Sequence, residues 1–252
     1  MELIVIGAGP AYTDRRGAAA ASYLVMADGA SLLLDLGQGS FPNVAATLEP
    51  SSLTAVLVSH LHPDHFIDLV PLRHYLRYEF DPPQPVRVLG PAGLAERLDA
   101  LHGEPGFAAV ALDVARLAAV QPIGPFAVEA LLVHHTQESY AFRVSVATRS
   151  GAPTGPGLVY SGDCGRADDL VPLIRPGDTL LAEASFGAGP VPAGAEHLDA
   201  AAAGRAATAG GAARLLLTHI QMGYDRGEAL AAAQAAFAGP VTLVTEGDRF
   251  EV

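Results

Sequence analysis

Apolar residues along the chain fall into short runs broken by glycine and proline, with Ala-rich stretches of helical period between them. The short runs predict strands at 2–6, 22–27, 31–36, 54–59 and 86–90 in the first half. In the second half they predict strands at 126–133, 140–148, 157–161, 179–185, 213–218 and 240–246. The helical period predicts helices over 40–48, 65–79, 92–102, 197–210 and 226–238, with Pro91 suited to a first turn and Asp225 to a cap. Asp28-Gly29 lies between two strands and signals a type I′ hairpin, and "GAPTGPG" at 151–157 reads as the turn of a second one. Hairpins mixed with strand–helix alternation predict an α/β (α+β) chain with mixed sheets and outer helices. No linker or repeat interrupts it, so one domain over 1–252 is expected, built of two similar halves meeting near 120–130.

Composition narrows the chemistry. Half of the 252 residues are hydrophobic, enough for a substantial core. Cys164 is the single cysteine, which excludes an internal disulfide or a thiolate-rich zinc cluster. All 15 basic residues are arginine, so there is no P-loop lysine, Schiff base or lysine general base. A net charge of −12 offers no basic face for a long nucleic acid. No run is long enough to span a bilayer, and Glu2 with no basic leader argues against a secretory signal, so a cytoplasmic location is expected. "GAGPAY" at 7–12 follows a strand but holds Tyr12 at the third glycine position, and it reads as a loop rather than a dinucleotide turn.

The densest chemistry is "SHLHPDH", which places His60, His62, Asp64 and His65 within six residues directly after an apolar run. Alternate residues of an extended loop share a side, so His60 and His62 can serve one ion while Asp64 and His65 face a second point. Imidazoles and a carboxylate suit zinc and similar divalent metals. A solvated histidine-rich loop would say nothing about the remaining chain, yet His135, Asp163 and His219 each follow the carboxyl end of another predicted strand. That edge of an open α/β sheet is where sites assemble. Seven ligand groups exceed the three that one catalytic zinc takes from protein, and suit two divalent ions with Asp163 between them. Zinc is the first expectation, with manganese or iron(II) as alternatives.

"HLHPDH", together with "LLLDLGQG" upstream, resembles the His-x-His-x-Asp-His signature and the Asp-x-Gly strand end of the metallo-β-lactamase superfamily. The resemblance covers nearly the whole chain and implies a four-layer αββα sandwich. It implies that His60, His62 and His135 hold one ion, that Asp64, His65 and His219 hold the other, and that Asp163 bridges. "VHHTQESYAFRV" is similar to the ribonuclease Z branch, where a histidine lies five residues before the aromatic of a Ser-Tyr-like pair; this spacing selects His135 over His134. "LLAEASF" and "EHLDAAAAGRAA" resemble that branch too, and imply a catalytic-support pair, Glu183 and His197. Helix capping and core hydrogen bonding are the plainer readings of those two residues. The tRNA-processing members carry a long arm between the third histidine and the bridging aspartate. Here 28 positions separate His135 from Asp163, so the layout is closer to the small armless relatives, which include atypical cyclic-nucleotide phosphodiesterases.

The expected activity is therefore metal-dependent hydrolysis of a small, nucleotide-type and preferably cyclic phosphodiester. Hydroxide generated on the ions and oriented by Asp64 would attack phosphorus, and His197, held by Glu183, would protonate the departing oxygen. The alternatives are RNA cleavage of the ribonuclease Z kind, thioester or lactone hydrolysis on the same scaffold, and a metal-binding protein without turnover. The expected partner is a small-molecule phosphodiester, not a long nucleic acid or a membrane, and a homodimer is left open. Arg73 and Arg143 are candidates to meet a phosphate, against a default of solvated arginine. Asp35 could orient the signature loop or simply form a turn, and Cys164 reads as a small buried hydrophobe.

Overall fold

The computed structural model describes residues 1–148 and 151–252. The first half supplies β1 (Glu2–Gly7), β2 (Ser22–Ala27), β3 (Ala30–Leu34), β4 (Ala55–Leu57), β5 (Val86–Gly90) and β6 (Leu112–Arg116). The second supplies β7 (Val120–Ile123), β8 (Phe126–Leu132), β9 (Tyr140–Ala147), β10 (Pro153–Tyr160), β11 (Thr179–Glu183), β12 (Arg214–Thr218) and β13 (Val241–Leu243). A last strand, β14 (Arg249–Glu251), returns to pair with β1. Two seven-stranded sheets result, in the orders β14-β1-β2-β3-β4-β5-β6 and β13-β12-β11-β10-β9-β8-β7. Each sheet joins an antiparallel part to a parallel one: β3 through β6 run parallel in the first, β10 through β13 in the second.

The strands are apolar on both faces because both faces are covered. Leu3 and Val5 of β1 meet Phe142, Leu158 and Leu216 between the sheets, while Ile4 and Ile6 point outward into a separate cluster with Leu72 and Leu98. Those two leucines come from α3 (Leu69–Tyr78) and α4 (Leu94–His102), which follow α1 (Phe41–Thr47) and α2 (Pro63–Phe66). On the other side, Leu215 and Leu217 of β12 pack under α5 (Ala200–Gly210) and α6 (Arg226–Ala236), against Ala203, Ala206 and Ala229. The alternation therefore resolves into four layers, helix–sheet–sheet–helix, as expected for the metallo-β-lactamase sandwich. A side chain at Gly204 of α5 would approach Ala236 Cβ to 2.8 Å, so the alanine–glycine face of α5 lets the two helices lie close.

Local signals hold where they rest on stereochemistry. Asp28 and Gly29 both have positive φ, as a type I′ turn requires. Asp225 accepts from Glu228 N at 2.8 Å and caps α6. "GAGPAY" is a packing loop: a Cβ at Gly7 would lie 1.9 Å from the Ala20 carbonyl oxygen.

Other expectations are corrected. Pro91 lies ahead of α4, whose N-cap is Gly93. The helix expected over 65–79 is broken in two, because Asp68 leaves the first turn to accept from Phe41 N at the start of α1 and its own N–H bonds Leu36 O. The second hairpin forms, β9 with β10 antiparallel, but most of 151–157 is strand rather than turn: Pro153 and Thr154 already pair with β9, and an irregularity between Thr154 and Leu158 absorbs the glycines. The edge strands β6, β7 and β14 lacked a sequence signal, being short, largely exposed and, in β7, carrying Pro122. Among the described residues no helix is long and apolar enough to cross a membrane.

Candidate metal centre

Five of the seven expected ligands lie just past strand ends on one edge of the sandwich, and the other two sit in the short helix that follows. His60 and His62 follow β4, His135 follows β8, Asp163 follows β10 and His219 follows β12, while Asp64 and His65 sit in α2. The structure brings these seven residues together as two groups. One ligand atom from each of His60, His62, His135 and Asp163 lies within 4.8 Å of the others, and the same holds for Asp64, His65, Asp163 and His219. Asp163 belongs to both. Its Oδ2 is 3.6 Å from His60 Nε2, 3.7 Å from His135 Nε2 and 3.3 Å from His65 Nε2, and its Oδ1 is 3.7 Å from His219 Nε2. His62 enters through Nδ1, 3.1 Å from His135 Nε2, and Asp64 Oδ2 lies 3.1 Å from His219 Nε2.

The ligand atoms are aimed by what holds the opposite ring nitrogen. His65 Nδ1 donates to Asp35 Oδ2 at 2.7 Å, His60 Nδ1 to Ser59 Oγ at 3.1 Å, His135 Nδ1 to Glu196 O at 2.7 Å and His219 Nδ1 to Ser185 Oγ at 3.1 Å. Each acceptor fixes the tautomer that leaves Nε2 as a lone pair facing the centre. Asp35 anchors the arrangement: fully buried, it also accepts from Ser59 N (2.6 Å), Ser59 Oγ (2.7 Å) and Tyr160 OH (2.6 Å). Asp35 and His219 hold φ of +59° and +58°, left-handed values that only a well-determined surrounding sustains.

The donor set fits divalent ions on chemistry as well as spacing. His60 Nε2, His65 Nε2 and Asp163 Oδ1 are buried without a hydrogen-bond partner, a costly condition that a cation at the centre of the group would relieve. Burial pushes the Asp163 carboxyl up, but the imidazoles of His219, His65 and His60 outweigh it and hold the group well below the usual carboxylate range. Burial, with neighbouring imidazoles, lowers His60, His62 and His135, keeping them neutral and able to ligate. For His65 and His219 burial also opposes the charge, but the surrounding carboxylates together reverse this and raise both, Asp163 with Asp35 for His65 and Asp163 with Asp64 for His219, so an ion arriving there would displace protons.

Beside the centre, His197 Nδ1 lies 3.0 Å from Glu183 Oε1 and 3.8 Å from Asp163 Oδ2. Glu183, at the end of β11, is buried and accepts from the backbone N–H groups of Cys164, Ser185 and Leu198. Burial lowers the His197 imidazole, but the Glu183 hydrogen bond and charge reverse this and bring it up to about 9. Capping of α5 falls instead to Asp199, which accepts from Ala202 N at 2.6 Å.

Two lesser expectations change. Arg143 is buried, not solvated, and its fork holds Asp178 at 2.8 and 2.9 Å inside the second sheet, away from any phosphate. Arg73 is buried too, bonded to Phe107 O and stacked 4.1 Å over the Phe107 ring. Cys164 is buried as expected, and burial pushes its thiol up to about 12. His134 turns aside, half exposed, with Nε2 3.4 Å from Glu196 Oε1. Sequence reasoning missed Ser59, Ser185 and Tyr160. The serines adjoin the motifs they support and could have been suspected, whereas nothing local marks Tyr160.

Comparison with known proteins agrees with this geometry. Residues 33–220, which include all seven expected ligand residues, match the family described as the Beta-lactamase superfamily domain. An uncharacterized protein of Mycobacterium leprae is 36% identical over 243 residues, 92% of this chain and 82% of that one. Ribonuclease Z of Thermobifida fusca is 27% identical over 302 residues, covering 100% and 94% of the two chains. The crystal structure of the metallo-β-lactamase-fold protein YhfI from Bacillus subtilis superposes with a TM-score of 0.85 at 25% identity, over 99% of both chains. Sandwich, histidine–aspartate edge and relatives converge: the chain belongs to the metallo-β-lactamase superfamily, among metallo-hydrolases related to ribonuclease Z and YhfI.

Proposed function

We propose that the chain hydrolyses phosphodiester bonds in small nucleotide-type molecules, cyclic ones included, with two divalent ions, zinc first, in the two ligand groups that share Asp163. Ions bound there supply Lewis acidity toward phosphoryl oxygens and acidify a water to near neutral pKa. Everything else falls to the chain. Asp64, beside His219, accepts a hydrogen bond from the attacking water and orients it. His197 holds a proton at the margin of the cluster, with Nδ1 fixed on Glu183, and delivers it to the departing oxygen.

The observation that carries this reading is the His197–Glu183 pair against the shared carboxylate. An imidazole held by a buried carboxylate next to the ligand cluster can serve an alkoxide leaving group, which needs a proton, and is of little use to a thiolate, which does not. The ribonuclease Z relative is named for RNA, whose backbone is a phosphodiester, and that supports the bond type. Long RNA is the second reading. The −12 charge, the absence of lysine and the short passage from His135 to Asp163 favour a compact substrate. The test is zinc- or manganese-reconstituted protein assayed on cyclic nucleotides, bis(p-nitrophenyl) phosphate, a thioester, a lactone and a precursor tRNA. Turnover of the small phosphodiesters is expected. Activity confined to the ester substrates, or efficient site-specific cutting of the tRNA, would overturn the proposal.

A further inference from the structure

A cleft of about 620 Å³ opens beside His62, the most exposed of the ligand histidines. Its walls come from the ligand loop itself, α4 and the residues before it, the ends of β6 and β8, and the segment just after His135. Glu138 ties three of them together. Its Oε2 accepts from Ala92 N at 2.9 Å, and its Oε1 accepts from Arg116 Nη2 at 2.7 Å and from Tyr140 OH at 2.6 Å. A cleft pinned in this way has its shape before anything enters, so a ligand need not order it.

Two features of the lining have no use inside the chain. Leu132 stands 58% exposed beside Leu61 and Pro91, giving the cleft an apolar wall in open contact with water. Arg97 also lines the cleft and is exposed, and its guanidinium makes no hydrogen bond or ion pair among the described residues. Arg116 has a carboxylate partner in Glu138 and Arg97 has none, so the three charges leave an excess of one positive. In a chain of net charge −12 that sign is a local reversal, set against a metal ligand. An unpaired guanidinium and an apolar wall in the same cleft fit a ligand with an organic body and an anionic end.

We infer that this cleft takes the non-reacting arm of the substrate, its organic body against Leu61, Pro91 and Leu132, and that the arm carries a second phosphate paired with Arg97. The inference rests on the phosphodiesterase reading and narrows it. Compact nucleotides with two phosphate groups, one at the ligand cluster and one on Arg97, are preferred over cyclic mononucleotides with a single phosphate. A 3′-phosphorylated nucleotide diester and a cyclic dinucleotide both meet that description.

Two p-nitrophenyl esters test it: thymidine 5′-(p-nitrophenyl phosphate) and the same ester bearing a 3′-phosphate. The leaving group is identical, so the ratio of their kcat/KM values reports recognition of the second phosphate alone. With the zinc-reconstituted full chain the 3′-phosphorylated ester should be preferred by about 10-fold or more, the scale of one charged hydrogen bond. The ratio should fall toward one in Arg97→Gln, mostly through KM, and should hold in Arg205→Gln, an exposed arginine on α5 that controls for overall charge. Calorimetric binding of thymidine 3′,5′-bisphosphate against thymidine 5′-monophosphate repeats the comparison without turnover. Preference for the bisphosphate that depends on Arg97, with neither ester hydrolysed, would sustain this inference and overturn the phosphodiesterase reading. Hydrolysis of both esters with equal efficiency, or a preference that survives Arg97→Gln, would overturn the inference and leave that reading standing.

Discussion

Asp35→Asn exchanges one oxygen for an NH2 group and should disable a metal ligand that the substitution does not itself touch at the ligating atom. In the wild type, Asp35 Oδ1 accepts from Ser59 N, and Oδ2 accepts from Ser59 Oγ, Tyr160 OH and His65 Nδ1. The amide oxygen of the introduced asparagine keeps the Ser59 N–H, since the reversed orientation would set donor against donor at a cost of about 1–3 kcal/mol. Its NH2 then faces three former donors. The two hydroxyls can rotate to accept. His65 can accept only by moving its proton to Nε2, the atom that lies 3.3 Å from Asp163 Oδ2 and 3.6 Å from Asp64 Oδ2. A protonated Nε2 cannot ligate. Metal affinity at the Asp64, His65, Asp163 and His219 group should therefore fall by about 10- to 100-fold, or about 1.4 to 2.8 kcal/mol. Competition for zinc against a chromogenic chelator measures this, and the thermal midpoint of the metal-free protein reports any general loss of packing. Affinity unchanged in the variant would refute the tautomer argument, as would an equal weakening of both ligand groups.

Protein purified without chelators should approach two equivalents of divalent metal by elemental analysis. A reproducible value near zero, with no uptake of zinc or manganese, would remove the dinuclear proposal. Asp64→Ala should abolish most turnover while circular dichroism stays native, and His134→Ala, whose side chain turns aside to Glu196, should bind metal as the wild type does; the reverse pattern at His134 and His135 would reassign the third histidine. His197→Ala should slow esters with poor alkoxide leaving groups by about 10²- to 10⁴-fold and nitrophenyl esters far less, and equal losses on both would take the proton-donor role from His197. Arg143→Ala should lower stability by about 3–5 kcal/mol in denaturant unfolding, because it leaves Asp178 buried and unpaired; a change below about 1 kcal/mol would mean that the pair is solvated.

The sequence by itself determined the features that are local. Alternating burial on double-sided strands produces runs such as Leu32–Leu34 and Leu215–Leu217, and the spacing of turns marks where those runs end. Most of the candidate ligands follow strand ends, so the seven residues that the structure brings together were legible from the apolar runs that precede them, as was the turn from its Asp28-Gly29 pair. Tertiary structure decided whatever depends on partners far along the chain. Tyr160 meets Asp35 across 125 positions, and Tyr23 meets Thr218 across 195, contacts that no periodicity encodes. Arg143, by sequence a solvated arginine or a candidate for phosphate, holds Asp178 instead, since a guanidinium carries the same chemistry for a substrate as for a buried carboxylate. The strands β6, β7 and β14 form because a neighbouring strand offers them a ladder of backbone groups, and backbone hydrogen bonding is indifferent to the side chains on which sequence patterns rest.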